Sequence, residues 1–86
     1  MMQVLIPGAL RSYTHKSPIE ADGDTLLELF ADLDRRYPGL RFRVVDEQDR
    51  LRPNMRVFVN GIGTRDLGHG VQPDDFVAIV QALSGG

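Results

Sequence analysis

Polar and apolar positions first alternate with a period of two. In "MQVLIP", Met2, Val4 and Ile6 share one parity against Gln3 and Leu5, which predicts a strand, and Pro7-Gly8 ends it. A second short strand is expected from Ser17 to Ala21, with Asp22-Gly23 as the turn beyond it. The period then changes to 3.6. Leu26, Leu29, Phe30, Leu33 and Tyr37 stand at i, i+3, i+4, i+7 and i+11, the apolar stripe of an amphipathic helix, with Asp32, Asp34 and Arg35 expected on its wet side. Thr25 can cap this helix, and Glu28, three residues on, can reach back to the Thr25 N–H. Pro38 disfavours helical geometry at Tyr37 and Gly39 permits a reversal, so the helix stops there.

Alternation returns in "LRFRVVD", where Leu40, Phe42 and Val44 face away from arginines, and in "MRVFVNG", where Met55, Val57 and Val59 oppose Arg56 and Phe58. Both read as strands, and the polar "EQDRLRPN" between them reads as a loop. Asn60-Gly61 is a turn signal. "TRDLGHGVQPDD" is mostly connection, with a helical turn near Asp66, and "FVAIVQAL" is the last strand. The order is therefore strand, strand, helix, strand, strand, irregular crossing, strand. One main helix on one face of a mixed four- to five-stranded sheet predicts an α+β fold of the β-grasp, ubiquitin-like type. Residues 1–82 are expected to form the single domain, and 83–86 a flexible C-terminal tail.

One helix covers only one face of a sheet. If Val4, Ile6, Val57, Val59, Val77 and Ile79 point to the helix, then Leu5, Phe58, Phe76, Ala78 and Val80 share the other face. That leaves an apolar surface with no further element to cover it, a candidate partner-binding patch, although a long neighbour such as Arg56 can lie over part of it.

Composition removes whole classes of chemistry. At 86 residues the chain suffices for one modest core. It has no cysteine, which excludes disulfides, thiolate metal sites and a cysteine nucleophile. A net charge of −2 with 26% charged residues gives no electrostatic reason to expect nucleic acid. No apolar run approaches the roughly 20 residues of a membrane span, and the N-terminus lacks the pattern of a secretory signal, so a cytoplasmic location with no membrane partner is expected. His15 and His69 lie far apart in polar loops and read as surface residues rather than metal ligands. Ser12, Ser17 and Ser84 have no histidine in a triad-like pattern, and "GIG" and "GHG" lack the context of a phosphate loop. No catalytic residue, metal site or bound cofactor is expected. Seven of the ten basic residues fall between Arg35 and Arg56, which would suit a basic edge that docks an acidic partner, but Asp46, Glu47 and Asp49 interrupt them, so the run reads first as a solvated face.

The stretches "IPGALRSYT", "DGDTLLELFADLDRRYPGL", "VFVNGIGTRDL" and "VQPDDFVAIVQALSGG" together resemble the ubiquitin-like sulfur carriers of the ThiS/MoaD family. That family includes the thiamine-pathway carrier, the small subunit of molybdopterin synthase and the carrier of a cysteine synthesis pathway. The early "LR", the "YPG" after the helix and the long segment before "VFVNG" are most similar to the cysteine-pathway carriers. Two positions depart from the family pattern. Gln81-Ala82 stands where a proline usually marks the step into the tail, and Pro73-Asp74-Asp75 replaces a common Asp-Gly-Asp.

The resemblance gives the final "LSGG" a meaning. Glycine lacks a Cβ and takes dihedrals closed to other residues, so Gly85-Gly86 suits a substrate lying in a narrow channel of another enzyme, with Ser84 and Leu83 as the residues the channel holds. A terminal carboxyl, with a pKa near about 3.5, is an anion at neutral pH and can attack ATP. The resemblance implies that an E1-like adenylating enzyme uses ATP and magnesium to activate the Gly86 carboxylate. A persulfide or sulfide donor would then leave a thiocarboxylate, whose sulfur goes to an acceptor on a downstream synthase. Cysteine or homocysteine synthesis is the leading destination, with thiamine, molybdopterin and related metabolites behind it. The carrier itself would catalyse nothing. The same tail is compatible with two other roles: the small subunit of molybdopterin synthase, and a ubiquitin-like modifier joined to lysines.

Overall fold

A computed structural model describes residues 1–82. The strands are β1 (Met2–Leu5), β2 (Ile19–Ala21), β3 (Met55–Val59), β4 (Ile62–Thr64) and β5 (Phe76–Gln81). The helices are α1 (Arg11–Thr14), α2 (Leu26–Arg36) and α3 (Leu40–Val44), with a 3-10 turn over Gly8–Leu10. All five strands form one sheet in the order β2-β1-β5-β3-β4. The last strand in sequence thus lies at its centre, parallel to β1 and antiparallel to β3. α2, the main helix, lays Leu26, Leu29, Phe30 and Leu33 into the core. There they meet Met2, Val4, Met55, Val57, Val77 and Ile79 from the strands. This is the β-grasp arrangement the sequence predicts.

The start of α2 shows why its boundary is sharp. The first N–H groups of a helix lack intrahelical partners, and here those of Leu26, Leu27 and Glu28 find other ones before the regular ladder begins at Leu29. Leu26 donates to the His69 carbonyl at 3.1 Å and Leu27 to that of Leu67 at 2.9 Å. Glu28 N–H donates to the Thr25 hydroxyl at 3.2 Å, and Leu29 N–H to the Thr25 carbonyl at 2.9 Å. The Glu28 carboxylate turns back as expected, but it accepts from the N–H of Asp24 at 3.1 Å rather than that of Thr25. The crossing segment is therefore more than a connection. It lies along the helix start, and its Leu67 and Val71 are buried in the core. Near Asp66 it makes one tight turn, in which the carboxylate accepts from Gly68 N–H at 2.9 Å.

Three expectations need correction. "LRFRV" is not a strand but α3. A strand would bury Leu40, Phe42 and Val44 together, whereas Leu40 and Val44, one helical turn apart, are buried and Phe42 is exposed. Gly39 enters this helix at φ 96°, and the Asp34 carboxylate accepts from the N–H groups of Gly39 and Arg41 at 3.0 and 3.2 Å, which completes the helix start. The fifth strand comes instead from β4. Asn60 and Gly61 have φ of 51° and 85°, the double left-handed geometry of a tight hairpin turn, and this folds "IGT" back along β3. Asp32 does not face water either. It is 5% exposed, and its carboxylate accepts from the Asp22 N–H at 2.9 Å and from the side chains of Arg35 and Arg36. A buried acid on the helix thereby fixes the turn that leaves β2. Smaller differences concern the second strand, which begins at Ile19, and the segment after β1, which carries the 3-10 turn and α1.

Candidate functional site

β5 carries the chain out of the centre of the sheet. Its last register partner is Met55 opposite Gln81, and the next residue, Ala82, donates its N–H to the Asn54 carbonyl at 2.7 Å. Leu83, Ser84, Gly85 and Gly86 lie outside the described residues. One side chain makes three bonds to the loop that holds Ala82. The guanidinium of Arg65 donates to the carbonyls of Leu51, Arg52 and Met55 at 2.8, 3.1 and 3.1 Å, so a planar fork gathers three acceptors from one loop.

The entry to β5 is fixed by Asn60. Its backbone N–H donates to the Phe76 carbonyl and its side-chain oxygen accepts from the Phe76 N–H, both at 2.8 Å. Its amide nitrogen donates to the Asp75 carboxylate at 2.9 Å, and Asp75 also accepts from the Gln72 N–H at 2.9 Å. These two bonds, the one from Asn60 foremost, hold the Asp75 carboxyl below the usual aspartate range. The "VNG" motif thus serves two purposes: it turns the hairpin and ties that hairpin to the strand leading to the tail.

The sheet face opposite α2 carries the residues expected there. Leu5, Phe76 and Val80 are 37%, 41% and 40% exposed, while Phe58 and Ala78 are half-buried. Register sets Leu5 beside Ala78 and Ala78 beside Phe58, a row across three strands. Gln3 flanks Phe76 and Arg56 flanks Val80, which gives the patch polar margins. The Phe58 ring lies over Gly63 on the edge strand, where a β-carbon would come 3.3 Å from it. Arg56 turns toward the carbonyls of Pro53 and Met55, at 2.7 and 3.0 Å.

His15 and His69 are both exposed. Among the described residues, no group of three or more His, Asp or Glu could hold a metal ion, and no helix is long and apolar enough to cross a membrane. Sequence reasoning missed Asn54 and Arg65, because a backbone carbonyl and an arginine that binds carbonyls leave no periodic signature.

A mixed sheet with a parallel β1–β5 pair at its centre and α2 across one face defines a ubiquitin-like β-grasp protein. Residues 4–86 match the model of the ThiS family. The chain belongs to that family of ubiquitin-like sulfur carriers. It is 32% identical over 89 residues to the sulfur carrier protein CysO of Mycobacterium tuberculosis, covering 96% of each. Among solved structures it is similar to CysO in the BexX/CysO complex of Amycolatopsis orientalis, with a TM-score of 0.92, 33% identity and 100% of both chains covered. The small archaeal modifier protein 1 of Methanosarcina acetivorans shares the fold, with a TM-score of 0.83 at 20% identity over 99% of this chain and 95% of that one.

Proposed function

We propose that this chain is a protein substrate that carries sulfur on the carboxyl group of Gly86. An E1-like enzyme joins AMP to that carboxylate at the expense of ATP with magnesium, which makes AMP the leaving group. Sulfide displaces AMP and leaves a thiocarboxylate directly. The terminal sulfur of a persulfide displaces AMP to give an acyl disulfide, whose S–S bond a thiol of the donor or the enzyme then cleaves, releasing the thiocarboxylate and forming a disulfide with the donor sulfur. A downstream synthase then takes the sulfur into a small metabolite. Cysteine or homocysteine synthesis is the destination favoured by the likeness to CysO proteins. The carrier performs no catalysis of its own, binds no cofactor and works in the cytoplasm. Its partners are the adenylating enzyme, the sulfur donor and the synthase.

The observation that carries this reading is the β5 exit. A central strand, clamped by Asn60 at its entry and by the Asn54 carbonyl at its end, leads directly into Leu83-Ser84-Gly85-Gly86, and the family match runs through residue 86. A rigid body that delivers a slender segment is what a channel-bound substrate requires. The open face supplies the surface by which the enzyme grips the body. Leu5, Phe58, Phe76, Ala78 and Val80 form an apolar patch with polar margins, the composition of a docking site.

Pyrophosphate release tests the first step. Incubation with an E1-like enzyme of the same genome, ATP and magnesium should release pyrophosphate in proportion to the carrier added. A chain lacking Gly85 and Gly86 should release none; equal release from both chains would refute the assignment.

A further inference from the structure

The chain holds a second surface feature at the root of the tail, separate from the apolar face. A concavity of about 310 Å³ opens beside Gln81, lined by Phe42, Arg43 and Arg52 above the buried Leu10 and Met55. Phe42 is 53% exposed, more than any aromatic residue of the open sheet face, so the core does not account for it. The guanidinium of Arg52 stands 4.6 Å from the centre of its ring. Arg52 Nε donates to the Phe42 carbonyl at 2.7 Å, which fixes the fork in place. Among the described residues, its two terminal nitrogens make no hydrogen bond, and neither does the side chain of exposed Arg43. Asp46 is near enough to feel the charge of Arg52, but among the described residues the two form no ion pair, and Asp46 Oδ1 accepts from the N–H groups of both Gln48 and Arg50.

We propose that this concavity receives an aspartate or glutamate side chain of the protein that activates the tail, an inference that rests on the function proposed above. Three features support it. The segment Leu83-Ser84-Gly85-Gly86 carries no charged side chain, so charge recognition near the reacting end must come from the body at its root. A stacked guanidinium whose terminal nitrogens have no partner among the described residues is a preformed fork for a carboxylate. The chain as a whole has a net charge of −2, so this local positive spot marks orientation rather than general attraction.

The choice of arginine has a chemical consequence as well. Nine of the ten basic residues are arginine and one, Lys16, is lysine. A lysine amine beside an activated carboxyl can attack it and close an amide. A guanidinium keeps its proton and does not. Arg43 and Arg52 therefore place positive charge at the root without a nucleophile.

The test measures pyrophosphate release against carrier concentration, with the E1-like enzyme of the same genome, at low and at raised salt. The variants are Arg43→Glu, Arg52→Glu and Arg52→Lys, each checked for an unchanged thermal unfolding curve. Arg43→Glu provides the reading if Arg52→Glu fails to fold, because the Arg43 side chain bonds to nothing within the described residues. Charge reversal should raise KM for the carrier about tenfold at low salt with kcat unchanged, and salt should erase most of the difference. Arg52→Lys should fall between, since it keeps charge but not the fork. A KM within twofold of wild type for folded Arg43→Glu overturns the inference while the activation reading stands. No release from the wild-type chain would overturn both.

Discussion

Asn60 and Phe76 are joined by a reciprocal pair of hydrogen bonds. The Asn60 N–H donates to the Phe76 carbonyl and the Phe76 N–H donates to the Asn60 side-chain oxygen, each at 2.8 Å. Asn60 also sits at φ 51°, a conformation that asparagine tolerates better than alanine. Asn60→Ala should therefore cost about 2 kcal/mol, from the lost side-chain bonds and the left-handed backbone together. Asn60→Gly should cost less, because glycine relieves the backbone part. Thermal unfolding of the two variants checks this; equal losses would show that the backbone conformation contributes nothing.

The same contact gives the chain an acid-sensitive element. Asp75 is held below its ordinary value of 3.8, first by Asn60 and then by the Gln72 N–H. A carboxyl with a lower pKa folded than unfolded adds stability that is fully present above about pH 5 and is lost as pH falls through the unfolded and then the folded value. Asp46 is lowered in the same way, first by the Arg50 N–H, and adds its share in the same window. Unfolding midpoints in denaturant between pH 5 and pH 2 should fall for the wild-type chain. Asn60→Ala should fall less steeply over that range, since it removes the main cause at Asp75. Parallel curves would contradict the role assigned to this bond.

Gly23 lies against the backbone of α2. A β-carbon there would come 2.5 Å from the Leu29 nitrogen and 2.9 Å from the Leu29 Cα, atoms that cannot turn aside as a side chain could. Gly23→Ala should destabilise the chain by about 1–3 kcal/mol, by forcing apart the turn and the helix. In a domain of this size that corresponds to a loss of several degrees, at about 4–8 °C for each kcal/mol. A melting temperature equal to wild type would show that the turn can move freely.

Phe58 and Phe76 share the open face, and neither contributes to the core between sheet and helix. Phe58→Glu and Phe76→Glu should weaken adenylation by raising KM for the carrier severalfold, with melting temperatures near that of wild type. Unchanged adenylation kinetics in both folded variants would remove this face from the enzyme's grip.

The sequence showed most clearly what periodicity controls. The stripe from Leu26 to Leu33, the alternation of Met2, Val4 and Ile6, and the paired parities of β3 and β5 all follow from burial on one face, so both sheet faces were legible. It misled where two periods coincide. Leu40 and Val44 fit both a strand and one helical turn, and what decided between them was the Asp34 carboxylate binding the amides after Pro38, a local contact that alternation does not report. Asp32 misled for a related reason: an acid one position from the apolar stripe can be buried when an exposed backbone N–H, here that of Asp22, needs an acceptor. β4 carried too little pattern, with three residues and a central glycine, but the Asn60-Gly61 turn made its course unavoidable. The tail-exit clamp of Asn54 and Arg65 left no trace, because both act through main-chain oxygens.

The most direct measurement is the intact mass of the chain purified from its own cells under conditions that preserve thiocarboxylates. The account predicts a species with one oxygen replaced by sulfur, located by fragmentation at Gly86 and lost on treatment with an alkylating reagent that gives the corresponding thioester. Only the unmodified mass, under conditions where the sulfur-accepting pathway is active, would contradict it, as would a population consisting of Gly86 joined to lysines of other proteins.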